Sequence, residues 1–330
     1  MNVAVVILNW NGKDLLEKFL PSVVRFSTEA TIYLADNAST DDSVAFVSEF
    51  FPSVKIIQNK INGGYAKGYN DALKNLSEEI FVLLNSDVEV TENWLQPVIS
   101  EFEKDNSVVA AQPKILDYKN KEFFEYAGAA GGFIDKYGYP YCRGRIFDTL
   151  EKDEGQYNDV SNIFWASGAC LFVKADAFWQ AGGFDEDYFA HQEEIDLCWR
   201  LQSKAGKILY VGNSKIYHVG GATLATLNPK KTFYNFRNSL LNILKNAKGN
   251  QAFTSIFMRM LLDGLAAFQF LFQGKPQHFI AILKAHFSFY LLIPKFLQKR
   301  KKYASKMKYF LIKSIVFQYF IQKKKVFNEL

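Results

Sequence analysis

The sequence predicts an α/β fold built on a doubly wound, Rossmann-like sheet, followed by a basic helical extension. Three observations predict it. Short apolar, β-branched runs alternate four times with helical spacing in the first 85 residues. A cluster of Asn, Asp, Gly or Ser follows each run. Charge is also unevenly divided: residues 251–330 carry 14 Lys/Arg against two acids, whereas the other 250 carry 25 against 32.

Residues 3–8 (VAVVIL) read as a strand buried on both faces, ended by Asn9-Trp10-Asn11-Gly12. Leu15, Leu16, Phe19, Leu20 and Val23 then fall on one face of a helix. Residues 31–35 form a second strand, and 36–41 supply N-cap residues for a helix through Val44, Phe46 and Val47. Residues 54–58 form a third strand, followed by Asn62-Gly63-Gly64 and a helix over 65–76. A fourth strand, 80–84, stops at Asn85-Ser86-Asp87. In doubly wound sheets ligands bind at the carboxyl ends of the strands, where all four polar clusters fall. Any one cluster alone is ordinary turn chemistry. No GxGxxG or Walker sequence follows the first strand, which removes the main support for dinucleotide or P-loop binding.

Residues 113–165 are rich in Gly and Tyr and only weakly periodic, as expected of loops and short hairpins. Residues 165–173 read as a strand, with Gly168-Ala169 where a ligand can approach closely. Acids at 193, 194 and 196 open a helix whose apolar face holds Ile195, Cys198 and Trp199. Short strands are expected at 208–211 and 216–219, the second containing His218.

With 330 residues, 49% hydrophobic and 22% charged, the chain is neither disordered nor membrane-filling. Its three cysteines show no CxxC pairing, which excludes a disulfide scaffold or structural zinc site and suits a reducing compartment. The N-terminus lacks the marks of a signal peptide, so a cytoplasmic location is expected.

The order of these pieces resembles the family 2 glycosyltransferases, which adopt the GT-A fold, a doubly wound mixed sheet. It rests on Asn-Trp-Asn-Gly after the first strand, DNASTDDS, NGGYAKGYN, LLNSDV, and GGFDEDYFAHQEEIDLCWR followed by a His, spread over about residues 3–240. The likeness is to the rhamnosyltransferase-like branch that builds bacterial surface polysaccharides. It implies an inverting enzyme moving a sugar from a UDP- or dTDP-linked donor to a lipid-linked or polymeric glycan hydroxyl.

Carried over by residue, the resemblance implies that Asn9, Trp10, Asp36, Asn37, Gly63, Gly64, Asn70, Asn85, Ser86 and Arg237 surround the nucleotide sugar. Asp87, with His218, would hold a divalent metal (Mn2+ or Mg2+). Glu193-Glu194 matches the acidic pair that contains the general base, and which of the two acts stays open. Trp165, Gly168, Ala169 and His191 are expected on the acceptor side. A sugar-nucleotide nucleotidyltransferase would need a Gly-rich, basic loop after the first strand, and a non-catalytic membrane scaffold would need neither Asp87 nor the acidic pair.

The expected domains are a catalytic one over 1–250, with a nucleotide-sugar half (about 1–112) and an acceptor half (about 113–250), and the extension 251–330. Residues 253–327 hold 17 Phe/Tyr, and charge-free runs stop at 264–274, 285–294 and 314–322. These runs are too short for a conventional membrane span. The pattern predicts amphipathic helices on an anionic membrane surface, peripheral on its inner face. So much bulky apolar surface argues against a nucleic-acid partner.

Overall fold

The computed structural model describes residues 1–220, 228–305 and 307–330. The nucleotide-side half contains β1 (Val3–Asn9), α1 (Lys13–Phe26), β2 (Thr31–Asp36), α2 (Ser43–Phe50), β3 (Lys55–Gln58), α3 (Gly64–Leu73), β4 (Ile80–Asn85), β5 (Val88–Val90) and α4 (Gln96–Lys104). The order continues with β6 (Val108–Asp117), β7 (Gly132–Ile134), β8 (Pro140–Cys142), β9 (Arg145–Ile146), β10 (Thr149–Leu150), β11 (Val160–Asn162), β12 (Cys170–Lys174) and α5 (Ala175–Ala181). Then come α6 (Glu193–Gln202), β13 (Lys207–His218), α7 (Pro229–Asn246), α8 (Gly249–Phe272) and α9 (Pro276–Tyr303).

The main sheet runs β11-β13-β6-β12-β4-β1-β2-β3, with β5 paired to β13. Strands β3, β2, β1 and β4 are mutually parallel, and β12 enters antiparallel between β4 and β6. The sheet is therefore mixed. Helices cover both faces, so β1 and β4 are buried on each side, which is why both read as unbroken apolar runs. The register sets Asn9 opposite Asp36 and Leu8 opposite Asn85, which gathers the polar strand ends at one edge.

Two expectations need correcting. The two short strands at 208–211 and 216–219 are one strand, β13, bent by an irregularity between Val211 and Lys215 where its pairing with β6 shifts. The strand over 165–173 begins at Cys170, because Trp165 leaves the main sheet to bridge Gly132. The loop-rich middle stretch folds into a small antiparallel sheet, β10-β9-β8-β7. All three cysteines are buried and free.

The extension packs on the catalytic core. Phe289, Phe296 and Tyr309 join the main hydrophobic cluster, and Ile134 bridges Phe310. Helices α8 and α9 are longer and more apolar than the charge-free runs imply. Each holds an 18-residue window of mean hydropathy 1.4, long and apolar enough to cross a membrane by length and composition.

Candidate active site

Strand β1 ends in Asn9, whose amide donates to Asp36 Oδ1 at 3.4 Å and to Ser39 Oγ at 3.2 Å. Asp36 Oδ2 accepts from the Ser39 backbone at 3.0 Å, so this carboxylate closes its own turn while staying at the strand end. Asn37 donates to Asn62 Oδ1 and to the Gly64 carbonyl, and Asn59 donates to Asn37 Oδ1. The polar strand ends thus form one buried amide network. Trp10 is 50% exposed at its rim, which leaves its ring free to stack.

Gly64 begins α3 with φ of +75°, and a Cβ there would stand 2.6 Å from the Phe189 carbonyl. That carbonyl accepts from Tyr65 N at 2.9 Å. Helix α3 therefore starts directly against the segment leading to the acidic pair.

Asn85 and Ser86 sit half-buried at the end of β4, and Asn85 N bonds to the Ala169 carbonyl. Asp87 is 5% exposed, and its Oδ1 lies 3.1 Å from His218 Nε2. The pairing of β5 with the end of β13, Val88 opposite His218, brings them together. On the other side of the ring, Glu125 Oε1 is 3.3 Å from His218 Nδ1. Burial disfavours the imidazolium, yet Glu125 and Asp87 together pull this histidine up to about 10. Asp87 Oδ1 and His218 Nε2 thus face each other as one oxygen and one nitrogen donor, a pair that a divalent cation would share.

The residues present fit such a cation. Among the described residues no group of three or more His, Cys, Asp or Glu side chains encloses a metal. Asp87 and His218 alone leave the remaining positions to diphosphate oxygens and water, the usual manner for cations that bind phosphate.

The acidic pair opens α6. Residues Phe189, His191 and Gln192 all have positive φ (65°, 67° and 72°), an unusual run for non-glycine residues. Asn238 holds this turn by donating to the carbonyls of Tyr188, Ala190 and His191. Arg237 donates to those of Asp187 and Tyr188, and Asn242 to that of Gln192.

Glu193 is 3% exposed and its Oε2 has no hydrogen-bond partner. Burial and the adjacent Glu194 hold its carboxyl well above the usual range. Glu194 is only half-buried, and burial raises it to about 7 while backbone N–H groups at the start of α6 hold it back. The Tyr65 hydroxyl, in the field of both acids, donates to the Gly168 carbonyl at 2.8 Å. That contact ties the start of α3 to the segment just before β12, where the Ala169 carbonyl accepts from Asn85 N. Asp196 belongs to a separate buried network with Arg200, Lys245 and Asn246, in keeping with a structural role.

Three expected binding residues serve other purposes. Asn70 exchanges two hydrogen bonds with the backbone of Phe184, both at 2.9 Å, and so fastens α3 to the Gly-Gly-Phe turn. Arg237 is 9% exposed and aims its donors at carbonyls of the α6 turn and at Asn238, not at a diphosphate. Trp165 is 4% exposed, its ring covers Gly132 and its Nε1 donates to the Phe133 carbonyl, so it is core and not acceptor surface. Ala169 is buried and contributes its backbone, while Gly168 lies beneath Tyr65. His191 is half-buried, and burial with nearby Lys231 pushes it down to about 4, so it is neutral at pH 7. Sequence reasoning missed Glu125, Asn238 and Lys231. Glu125 stands in the weakly periodic stretch with no spacing signal, whereas Asn238 directly follows Arg237 in the sequence.

Residues 4–180 match the family model described as glycosyl transferase family 2, over half of the chain. The chain belongs to this family. The glycosyltransferase is 26% identical over 230 residues to an N-acetylglucosaminyl-diphospho-decaprenol L-rhamnosyltransferase of Mycobacterium tuberculosis, covering 65% of this chain and 75% of the relative. Its fold resembles the mannosyltransferase PcManGT from Pyrobaculum calidifontis, solved with GDP-Man and Mn2+. That match has a TM-score of 0.55 and 12% identity, covering 88% of this chain and 87% of the other. It also resembles GalNAc-T7, solved with UDP, GalNAc and Mn2+, with a TM-score of 0.59 and 17% identity. There the match covers 74% of this glycosyltransferase and 48% of the neighbour, about half its length. The mixed sheet with C-terminal helices is thus a GT-A architecture.

Proposed function

We propose that this glycosyltransferase is an inverting, metal-dependent enzyme that moves a sugar from a UDP- or dTDP-linked donor to a hydroxyl of a lipid-linked or polymeric glycan. It would act in cell-surface polysaccharide synthesis at the inner face of the cytoplasmic membrane, held there by its C-terminal extension. The observation that carries the catalytic reading is the contrast within the acidic pair. Glu193 is buried with its carboxyl held well above the usual range, whereas Glu194 is half-buried and raised to about 7, close to where a general base works best.

In this reading Glu194 accepts the proton of the acceptor hydroxyl as its oxygen bonds to the anomeric carbon, and the nucleoside diphosphate leaves from the opposite face. Trp10, Asp36 and Asn37 orient the nucleotide at the strand ends, and Gly63-Gly64 let backbone approach the sugar. Asp87 and His218 are the residues that would hold Mn2+ or Mg2+, which when bound neutralises charge on the departing diphosphate. Neutral His191 lines the acceptor side. The mycobacterial relative supports the lipid-linked acceptor, and the neighbours solved with Mn2+ support the metal. A nucleotidyltransferase reading finds no support, because Asn9–Lys13 offers no Gly-rich basic loop.

The test is thermal stabilisation by UDP, dTDP and GDP, with and without Mn2+. A metal-dependent shift with one diphosphate, absent in Asp87→Ala, is expected. The same shift in Asp87→Ala, or none with any nucleotide, would overturn the site.

A further inference from the structure

We infer that the α8–α9 hairpin lies in the plane of a lipid leaflet and buries its outer face in hydrocarbon, so that apolar insertion, not basic charge, holds the enzyme to the membrane. This deepens the membrane-surface reading above and rests on it only for the presence of a membrane.

Helix α8 is built inside out. The only charged residues within α8 are Arg259 and Asp263, and both are buried. They pair with each other at 2.6 Å, and Asp263 also accepts from Tyr139 and faces His286. The outward positions carry Phe257, Leu261, Leu265 and Phe268 on α8, and Phe287 and Leu291 on α9, each 52–68% exposed. A helix facing water shows the opposite arrangement, with charge outside and apolar residues inside. Apolar surface of this extent, with the charged pair of α8 turned inward and Lys284 the exposed charge midway along α9, fits hydrocarbon with the lysine reaching to the headgroups.

Geometry excludes a crossing. Thr232 at the start of α7 meets His278 near the start of α9 at 2.8 Å, and Arg300 near the end of α9 donates to the Leu244 carbonyl at 2.6 Å. Helix α9 is thus fastened to the catalytic domain over a rise of about 33 Å. A helix so attached cannot pass through a bilayer without taking the domain with it. Only its free side, with α8, can enter one leaflet.

Three of the six basic residues of α9 are committed elsewhere. Lys295 pairs with Asp187, Lys299 with Asp185 and Asp187, and Arg300 with backbone carbonyls. The tip of the hairpin lies at the end of α7 that carries Tyr234, whose ring stacks 5.7 Å from Phe189 in the turn before Glu193. A leaflet-embedded hairpin therefore brings the acceptor side of the site to the headgroup plane, where a lipid-linked hydroxyl arrives.

The experiment is flotation of the full chain with vesicles of phosphatidylcholine alone and with added phosphatidylglycerol, at low and high salt. The expected result is binding to neutral vesicles that high salt does not release. Leu265→Asp/Phe268→Asp, both at exposed positions, should weaken that binding at least tenfold and leave the nucleotide-dependent thermal shift unchanged. That shift separates failure here from failure of the transferase reading. Binding only to anionic vesicles and reversed by salt would overturn insertion. So would no binding to either vesicle, or a dimer in light scattering that the double variant dissociates without any flotation, since a second copy would then cover the face.

Discussion

Replacing Glu194 with Gln should abolish transfer and stabilise the fold, and the two effects share one cause. Burial raises the Glu194 carboxyl from 4.5 to about 7. Because the folded value lies above the unfolded one, this group favours folding in its protonated form. Its contribution is intact below about pH 4.5 and declines as pH rises toward 7, after which it stays constant. The loss amounts to about 3 kcal/mol at pH 8, at about 1.36 kcal/mol per tenfold change. Gln carries no charge at any pH, so the variant should regain that amount at pH 8 and little at pH 4. For a chain of this size the gain is a rise in Tm of roughly 5 °C. In the native enzyme the ionised fraction grows about tenfold between pH 6 and 8, and kcat/KM should follow it. Glu194→Gln should lose about 10²–10⁴ in kcat. Glu193→Gln, replacing a buried carboxyl held well above the usual range, should lose less than about tenfold. The assays are a pH profile of sugar transfer and thermal melts at pH 4 and 8. A flat profile, a Glu194→Gln protein that melts lower at pH 8, or a larger kinetic loss in Glu193→Gln would refute the assignment.

Arg237→Ala should lower stability by about 2–3 kcal/mol, since carbonyls of the α6 turn lose a charged donor. It should leave diphosphate affinity of the folded protein unchanged, as titration calorimetry would show; a lost diphosphate contact would contradict it. Lys245→Ala leaves Asp185 and Asp196 short of a buried partner and should cost about 3–5 kcal/mol in urea unfolding. Arg200 and Lys245 hold Asp196 far below its ordinary 3.8 despite burial, so its stabilisation is full above about pH 4 and fades under stronger acid. An acid melt should therefore lose less between pH 5 and 3 once Lys245 is replaced. Gly64→Ala places a methyl group against the Phe189 carbonyl and forces a residue with φ of +75°, so kcat should fall more than nucleotide affinity. Equal loss of both would place the effect in the nucleotide half alone.

Much of the fold is legible in the chain because the alternation of apolar runs and helical spacing survives without tertiary help. The parallel strands 3–9, 31–36 and 80–85 lie within a residue or two of where the pattern puts them. Roles were harder to read than positions. Asn70 and Arg237 are polar residues in the right neighbourhood, yet backbone carbonyls claim them, and no spacing rule shows which partner a buried donor will find. Glu125 was invisible for the opposite reason: the irregular chain around it gives no period to read. In the extension, composition established that bulky apolar residues and lysines are mixed. Only the packing of α9 along α7 decides which of them face inward.

The strained turn before Glu193 joins these strands of argument. Left-handed non-glycine residues are unfavourable unless neighbours hold them, and this turn is held from two sides. From the nucleotide half, the start of α3 donates to the Phe189 carbonyl. From the helical half, Arg237, Asn238 and Asn242 donate to carbonyls on either side of His191. The position of Glu194 therefore depends on two elements at once, one at the Gly63-Gly64 loop and one on α7, the helix that carries the hairpin. A sugar nucleotide settling against Gly64 and a membrane holding α9 against α7 would both act on the same few carbonyls. That arrangement favours aligning Glu194 when donor and membrane are both in place, and under the proposed role for this carboxyl it gives a reason for a costly backbone conformation beside it.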